Sequence, residues 1–422
     1  KKDKILLITS TVPGEGKSTL AVNLSEMFAS RGFNVLLIDG DLRKQTDARL
    51  AGAEESCGLE EAVKEKKPAW EIIHKIKKSH VWFLGAAEPV KNPAAVLGSP
   101  GLASFLKDMK KKMDYIIIDA PPCEMIQDAA AFGASFLKQE GRLVIACENA
   151  LGLRYLAGAD HEEGFCTRKQ AEEACREAGL ARADFYYPVP DHRMPVSLYS
   201  DRYLPGKGDI TSPSVSYDGP RYACLNEGEV YDRLIEENDF GRFANSFLII
   251  ASKDGRQEKT IFAKYNRTRK EEFRIRTTMG ELDGERRVEK AALESAGRYH
   301  ILSLKNKCRQ LRQLNPRVRI LEPAISGDGS KVEFCFLEGI TLAERLGRCI
   351  RDGRAPVEEI KAALQFLYDV AEDQIVPFAV TPEFTRTFGP VPDIDDVSYK
   401  VSNIDGLFEN LMITETDGDE QL

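Results

Sequence analysis

No stretch of this chain approaches the ~20 consecutive apolar residues that a membrane-spanning helix needs, and no secretory leader opens it. Any attachment to a membrane would then come through a partner, leaving the chain itself in the cytoplasm at the inner face. Paired C-x-x-C motifs are also missing. The nine cysteines are odd in number and scattered, which argues against a zinc site or a disulfide framework and suits a reducing compartment. The five histidines show no metal-ligand spacing. Basic residues are not in excess: 59 Lys and Arg stand against 67 Asp and Glu, and the net charge of −8 disfavours nucleic acid as a general partner. The one dense basic run, residues 107–112, reads as the solvated face and C-terminal turn of a helix. What the chain does have is length and apolar content. Its 422 residues, 42% hydrophobic, suffice for two or three domains with real cores.

The strongest signal is near the start. Gly14-Glu15-Gly16-Lys17-Ser18-Thr19 follows the apolar run Ile5–Ile8 and precedes a helical pattern over 20–30. A strand, a glycine turn and a helix N-terminus are the context of a phosphate-binding loop. Glycines let backbone N–H groups turn inward around an anion, and the helix N-terminus adds donors and partial positive charge. Lys17 can then reach the outer phosphates, and the Ser18 hydroxyl is placed to ligate Mg²⁺.

Two more apolar strands end in carboxylates. Residues 34–43 close on Asp39-Gly40-Asp41-Leu42-Arg43, and residues 114–122 on Asp119-Ala120-Pro121-Pro122. Continuous β-branched runs suit a parallel sheet covered on both faces. Ligands of such sheets lie beyond the carboxyl ends of the strands, where these acids fall. They can hold Mg²⁺, and one can accept a proton from an attacking hydroxyl.

This triple pattern resembles the bacterial tyrosine kinases of capsule and exopolysaccharide synthesis (the BY-kinases). Their first motif matches residues 10–19, their apolar triplet with D-x-D-x-R matches 36–43, and their triplet with D-x-x-P matches 116–122. Residues 92–100 resemble the family's N-P-x-E-L-L-x-S segment. The signature lysine of partition and septum-site ATPases would fall at Val12, which argues against those relatives. The resemblance implies an autophosphorylating kinase with ATP and Mg²⁺ as cofactors. Gly14, Glu15, Gly16, Lys17, Ser18 and Thr19 would bind the nucleotide, Ser18 and Asp119 the metal, and Lys17, Asp39 and Asp41 would act in catalysis. It also implies protein tyrosine acceptors, a membrane-bound activator of the polysaccharide co-polymerase type, and homo-oligomers. It covers about residues 1–130. A chain that opens on Lys1 directly before its first strand reads as a piece of a longer protein or a fusion.

The rest divides differently. Residues 136–158 and 185–191 resemble the late part of class I methyltransferases from surface-polysaccharide clusters, without an upstream glycine loop for S-adenosylmethionine, so methyl transfer is not expected. Tyr186, Tyr187, Tyr199, Tyr203, Tyr217, Tyr222 and Tyr231 are interleaved with prolines and apolar residues, which suits packing and loop roles over phosphorylation. In the last third, Asp405 and Asn410 have the D-x-x-x-x-N spacing of a kinase catalytic loop. Residues 287–290 could be a strand carrying a phosphate-pairing lysine, and 332–342 resembles a strand-to-hinge segment of kinase-like phosphotransferases.

The expected architecture is an α/β, P-loop NTPase-type parallel sheet with flanking helices over 1–150, built from strands at 5–8, 35–39, 81–84, 115–119 and 143–146. An irregular methyltransferase-like linker follows over 151–245, with 186–222 irregular, a linker or an extended packing segment, and an α+β, partly kinase-like region covers 246–422. There, strands are expected at 248–251, 260–265, 273–278 and 287–290, with helices over 291–314 and 357–372. Three functions fit: a tyrosine kinase at the P-loop, a sugar or lipopolysaccharide-type phosphotransferase acting through Asp405 and Asn410, or a non-catalytic ATP-binding regulator of polysaccharide assembly.

Overall fold

The computed structural model describes residues 5–8, 16–40, 69–76, 80–85, 99–119, 126–159, 165–210, 225–282, 284–314, 319–371, 374–391, 395–399, 406–416 and 419–421. The chain separates into two compact units, Lys1–Glu258 and Lys259–Leu422.

The first unit opens with β1 (Ile5–Ile8), α1 (Lys17–Ser30), β2 (Val35–Asp39), β3 (His74–Lys75), β4 (Val81–Leu84), α2 (Pro100–Met109) and β5 (Tyr115–Asp119). These strands form a five-stranded sheet of order β1-β5-β2-β4-β3, parallel except for the short edge strand β3. The residues of β2 alternate between two cores. Val35 and Leu37 pack with Ala21, Val22 and Ala29 of α1, while Leu36 and Ile38 pack with Leu102 and Met109 of α2. Side chains of period two feed both faces, so the whole strand is apolar and buried, as its continuous run predicts. The serine at position 99 caps α2, accepting from the Leu102 N–H at 3.2 Å. Beyond α2, Lys110 to Lys112 form the expected helix-end turn, and the Lys112 ammonium lies 2.9 Å from the centroid of the Trp70 ring.

The strand over 143–146 departs from expectation. It is real, running over Leu143–Glu148 as β6, but it does not join the P-loop sheet. It pairs antiparallel with β9 (Ser246–Ser252), which also pairs antiparallel with β7 (Arg182–Val189), and β7 in turn with β8 (Ser197–Ser200). The segment read as irregular thus supplies a central strand, because Phe185, Tyr186 and Tyr187 bury their rings there and outweigh the turn signal of the neighbouring prolines. Boundaries at 150 and 245 pass between members of this second sheet. Helices α3 (Ile126–Phe136) and α5 (Arg168–Glu177) pack together beside it, with the single turn α4 (Leu153–Leu156) between them in sequence. A reciprocal capping box of Thr167 and Gln170 starts α5. Of the described tyrosines in the cluster, Tyr186, Tyr187, Tyr199 and Tyr231 are buried, which supports packing for those four; Tyr217 and Tyr222 lie outside the described residues.

The second unit contains an antiparallel set, β10 (Thr260–Asn266), β11 (Ile275–Leu282), β12 (Glu285–Ala292), β14 (Lys331–Cys335) and β13 (Ala324–Ile325), adjacent in that order. The helix expected from 291 begins only at Arg298 and runs to Leu314. Ala291 and Ala292 are good helix formers, yet pairing with β11 keeps both in the strand. Further on, Leu342–Arg351 and Val357–Ala371 are helices that share a small core of Leu342, Leu346, Ala363 and Ile413.

Candidate nucleotide site

Register alone brings the first unit's acids together. In the β1–β5 pair Ile8 stands opposite Asp119, and in the β2–β5 pair Asp39 stands opposite Asp119. The strand that precedes the glycine-rich segment and the two strands that end in carboxylates therefore finish level, at the carboxyl end of the sheet. Asp39 and Asp119 are 2% and 0% exposed, a burial that carboxylates accept only with polar or charged company. The Gly40 N–H donates to the Asp119 carbonyl at 2.6 Å, tying the two strand ends.

Helix α1 starts over this edge. Its N-cap, Gly16, has φ of 82°, a left-handed conformation that favours glycine and lets the chain turn from loop into helix. Lys17 and Ser18 are then the first helical residues, both half-buried, and Thr19 is exposed. The Ser18 hydroxyl donates to Asp119 Oδ2 at 2.6 Å across 101 residues of sequence. This contact shows that the helix start and the acid on β5 share one site. A hydroxyl and a carboxylate in direct contact form an oxygen-only donor set, which fits Mg²⁺ and not a thiophilic metal.

Of the residues expected at the site, Gly16, Lys17, Ser18, Thr19, Asp39 and Asp119 are described, and the structure brings Ser18, Asp39 and Asp119 to one place. Gly14, Glu15, Asp41 and most of the 92–100 segment lie outside the described residues. In the second unit Asp405 also lies outside them. Asn410 occupies the turn before the strand Met412–Thr416, and Lys290 on β12 has its ammonium 5.5 Å from the Phe334 ring centroid.

A second polar cluster escaped sequence reading. It lies where β6 and β7 end and β9 begins. Glu148, Arg154, Asp191 and Asn245 are all buried there. The Arg154 guanidinium is 2.8 Å from Asp191 and 4.0 Å from Glu148, and its backbone N–H donates to Asn245 Oδ1 at 3.0 Å. Glu148 accepts from the Tyr155 hydroxyl at 2.7 Å, with Arg193 at 3.4 Å and His192 Nδ1 at 3.8 Å. The only local hint was an acid closing an apolar strand; the partners come from distant segments.

Burial above all, with help from Asp191, raises the Glu148 carboxyl above the usual carboxylate range, against the Tyr155 hydroxyl and the two arginines. A carboxyl with a higher folded than unfolded pKa takes up protons on folding. Its stabilising contribution is full below the unfolded value, about 4.3, and is lost as pH rises through the folded value. Replacing Glu148 with glutamine is expected to remove that loss. Urea unfolding of both proteins from pH 4 to 8 should show the variant gaining stability relative to wild type as pH rises. A pH-independent difference would contradict the shift.

Residues 3–135 match the AAA domain family. Over 130 residues the chain is 35% identical to the tyrosine-protein kinase YwqD of Bacillus subtilis strain 168, covering 31% of this chain and 55% of the relative. It is 32% identical over 130 residues to the tyrosine-protein kinase CpsD of Streptococcus pneumoniae serotype 4, covering 31% and 57%. Among solved structures, the kinase domain of the Escherichia coli tyrosine kinase ETK aligns at 28% identity and a TM-score of 0.29, over 32% of this chain and 52% of that one. The chain spans about half the length of the curated relatives it matches. No helix among the described residues is long and apolar enough to cross a membrane. Residues 3–135 thus match the AAA domain family, and over 130 residues the chain is similar to the tyrosine-protein kinases of Bacillus subtilis and Streptococcus pneumoniae.

Proposed function

We propose that this domain binds Mg·ATP and transfers the γ-phosphoryl group to tyrosine hydroxyls, its own included, as a regulator of capsule or exopolysaccharide assembly. The observation that carries the reading is the 2.6 Å contact of Ser18 with Asp119 at strand ends shared with buried Asp39, within a segment similar to tyrosine-protein kinases. Bound Mg·ATP supplies the phosphoryl group and neutralises its developing charge. The chain's residues do the positioning. Lys17 and the backbone N–H groups of Gly14, Glu15, Gly16 and Thr19 hold the phosphates at the start of α1, and Ser18 and Asp119 hold the metal. Asp39 and Asp41 orient the acceptor hydroxyl and take its proton, a role in which a carboxylate screened from water is more effective than one in solvent. The partners of this reading are a membrane-bound polysaccharide co-polymerase or activator that brings the chain to the inner membrane face, tyrosine acceptors, and further copies of the chain.

The test is incubation of the purified chain with Mg·ATP and mapping of phosphotyrosine by mass spectrometry. Wild type should be phosphorylated, and Asp39→Asn should lose about 10²–10⁴ in rate while still binding ATP, the range expected for removal of a positioned base. ATP binding without phosphotyrosine in wild type, combined with nucleotide-dependent association with a membrane partner, would replace this reading with a non-catalytic regulator.

A further inference from the structure

Two thiols face one another inside the first unit, well apart in sequence. Cys147 on β6 places its Sγ 3.4 Å from the Sγ of Cys166, and the two residues are 0% and 1% exposed. Main chain holds them there. Asn149 and Cys166 form a parallel bridge, the Cys166 N–H donates to the Glu148 carbonyl at 3.3 Å, and the Ala150 N–H donates to the Cys166 carbonyl at 3.1 Å. These main-chain contacts hold the segment of Cys166 beside the end of β6, which carries Cys147. A disulfide bond is about 2.0 Å long, so the sulfurs need move together by little more than an ångström. A third buried thiol, Cys175 on α5, is the natural competitor. Burial, reinforced by neighbouring Cys166, pushes its thiol up to about 11.

We propose that Cys147 and Cys166 are a modification site: a dithiol that hydrogen peroxide converts to a disulfide, closing a covalent loop that contains the buried Glu148 and Arg154. In the first step the sulfur of one cysteine, its proton lost, attacks a peroxide oxygen. The O–O bond breaks, a sulfenic acid forms, and the released hydroxide leaves as water with that proton. In the second step the other sulfur attacks the sulfenic sulfur. The S–S bond forms, the S–O bond breaks, and a second water leaves with the remaining thiol proton. Two thiols lose two electrons and two protons, and one peroxide becomes two waters. Burial of both sulfurs selects a small oxidant over a bulky disulfide such as oxidised glutathione. The closed loop, spanning a separation of 19 residues, contains Arg154 and Tyr155 and starts one residue before Glu148, so oxidation tethers the segments that frame the cluster. By restricting the unfolded chain, it should make the protein harder to unfold.

The experiment treats the full chain with hydrogen peroxide, blocks remaining thiols with N-ethylmaleimide in denaturant, digests without reduction and reads the peptides by mass spectrometry. A Cys147–Cys166 cross-linked peptide is expected, reversed by dithiothreitol, retained in Cys175→Ala and absent from Cys166→Ala. The oxidised wild type should also unfold at a higher temperature than its reduced form, and Cys166→Ala should show no such rise. Maleimide on both Cys147 and Cys166 after peroxide, a link to Cys175 in wild type, or conversion of Cys147 to a sulfinic acid without cross-link would each overturn the proposal. The wild-type peptide map decides the question even if a variant fails to fold.

Discussion

Lys17→Ala is expected to weaken ATP binding by roughly a hundredfold or more and to abolish phosphotyrosine. Lys17 begins α1, one residue after the left-handed Gly16 and one before the serine that contacts Asp119. A bound nucleotide would bring several negative charges to that point, and an ammonium contributes charge-assisted hydrogen bonds of about 1.5–3 kcal/mol each. Losing two such bonds costs about 3 kcal/mol at the least, and 1.4 kcal/mol is a factor of ten. The helix N-terminus and the loop N–H groups remain, so the fold should survive. Titration with a fluorescent ATP analogue, alongside circular dichroism, separates lost binding from lost structure. A folded variant that binds ATP within threefold of wild type would remove the phosphate-binding role from Lys17.

Arg154→Leu is expected to produce the largest loss of stability in the first unit. The arginine stands between Asp191, 0% exposed, and Glu148, 2% exposed, and it is the side-chain cation closest to Asp191 among the described contacts. Leucine occupies a similar volume and keeps the backbone N–H that Asn245 accepts, so the substitution deletes chiefly charge. Glu148 would then depend on Arg193, His192 and the Tyr155 hydroxyl, and Asp191 on the Arg193 backbone N–H. Removing one partner of a buried ion pair costs about 3–5 kcal/mol, because the charge left behind cannot be hydrated. For a unit of this size that corresponds to a fall in Tm of about 10 °C. The deficit should shrink on acidification, as protonation of Glu148 removes one of the stranded charges. A variant within 1 kcal/mol of wild type would mean that water or the remaining cations already satisfy the cluster.

The candidate nucleotide site was legible because its signals are local. A glycine-rich turn after an apolar run needs no distant partner to be recognised, and neither do acids closing continuous apolar strands. Strands β1, β2, β4 and β5 consequently lie where periodicity puts them. The same reasoning misplaced β6. Its composition is that of any buried strand, and nothing in residues 143–148 distinguishes a neighbour at 5–8 from one at 246–252. It also passed over β7, where Pro188 and Pro190 read as loop although the preceding aromatics, Phe185, Tyr186 and Tyr187, are core. The Glu148–Arg154–Asp191 cluster was hidden for a related reason. A buried charge is recognised by its partner, and here the partners are 6 and 37 residues apart.

By itself, then, the sequence determined the helix from Lys17, the apolar strands and the acids Asp39 and Asp119 at their ends, all set by patterns within a few residues. Only the tertiary structure decided that β5 lies between β1 and β2, which brings Asp119 level with Asp39 and under Ser18. It alone decided that β6 leaves the P-loop sheet for β9, and that Cys147 meets Cys166. Strand order and cross-chain contacts are chosen by which surfaces bury each other at least cost. That competition is between whole elements, and no single segment carries its result.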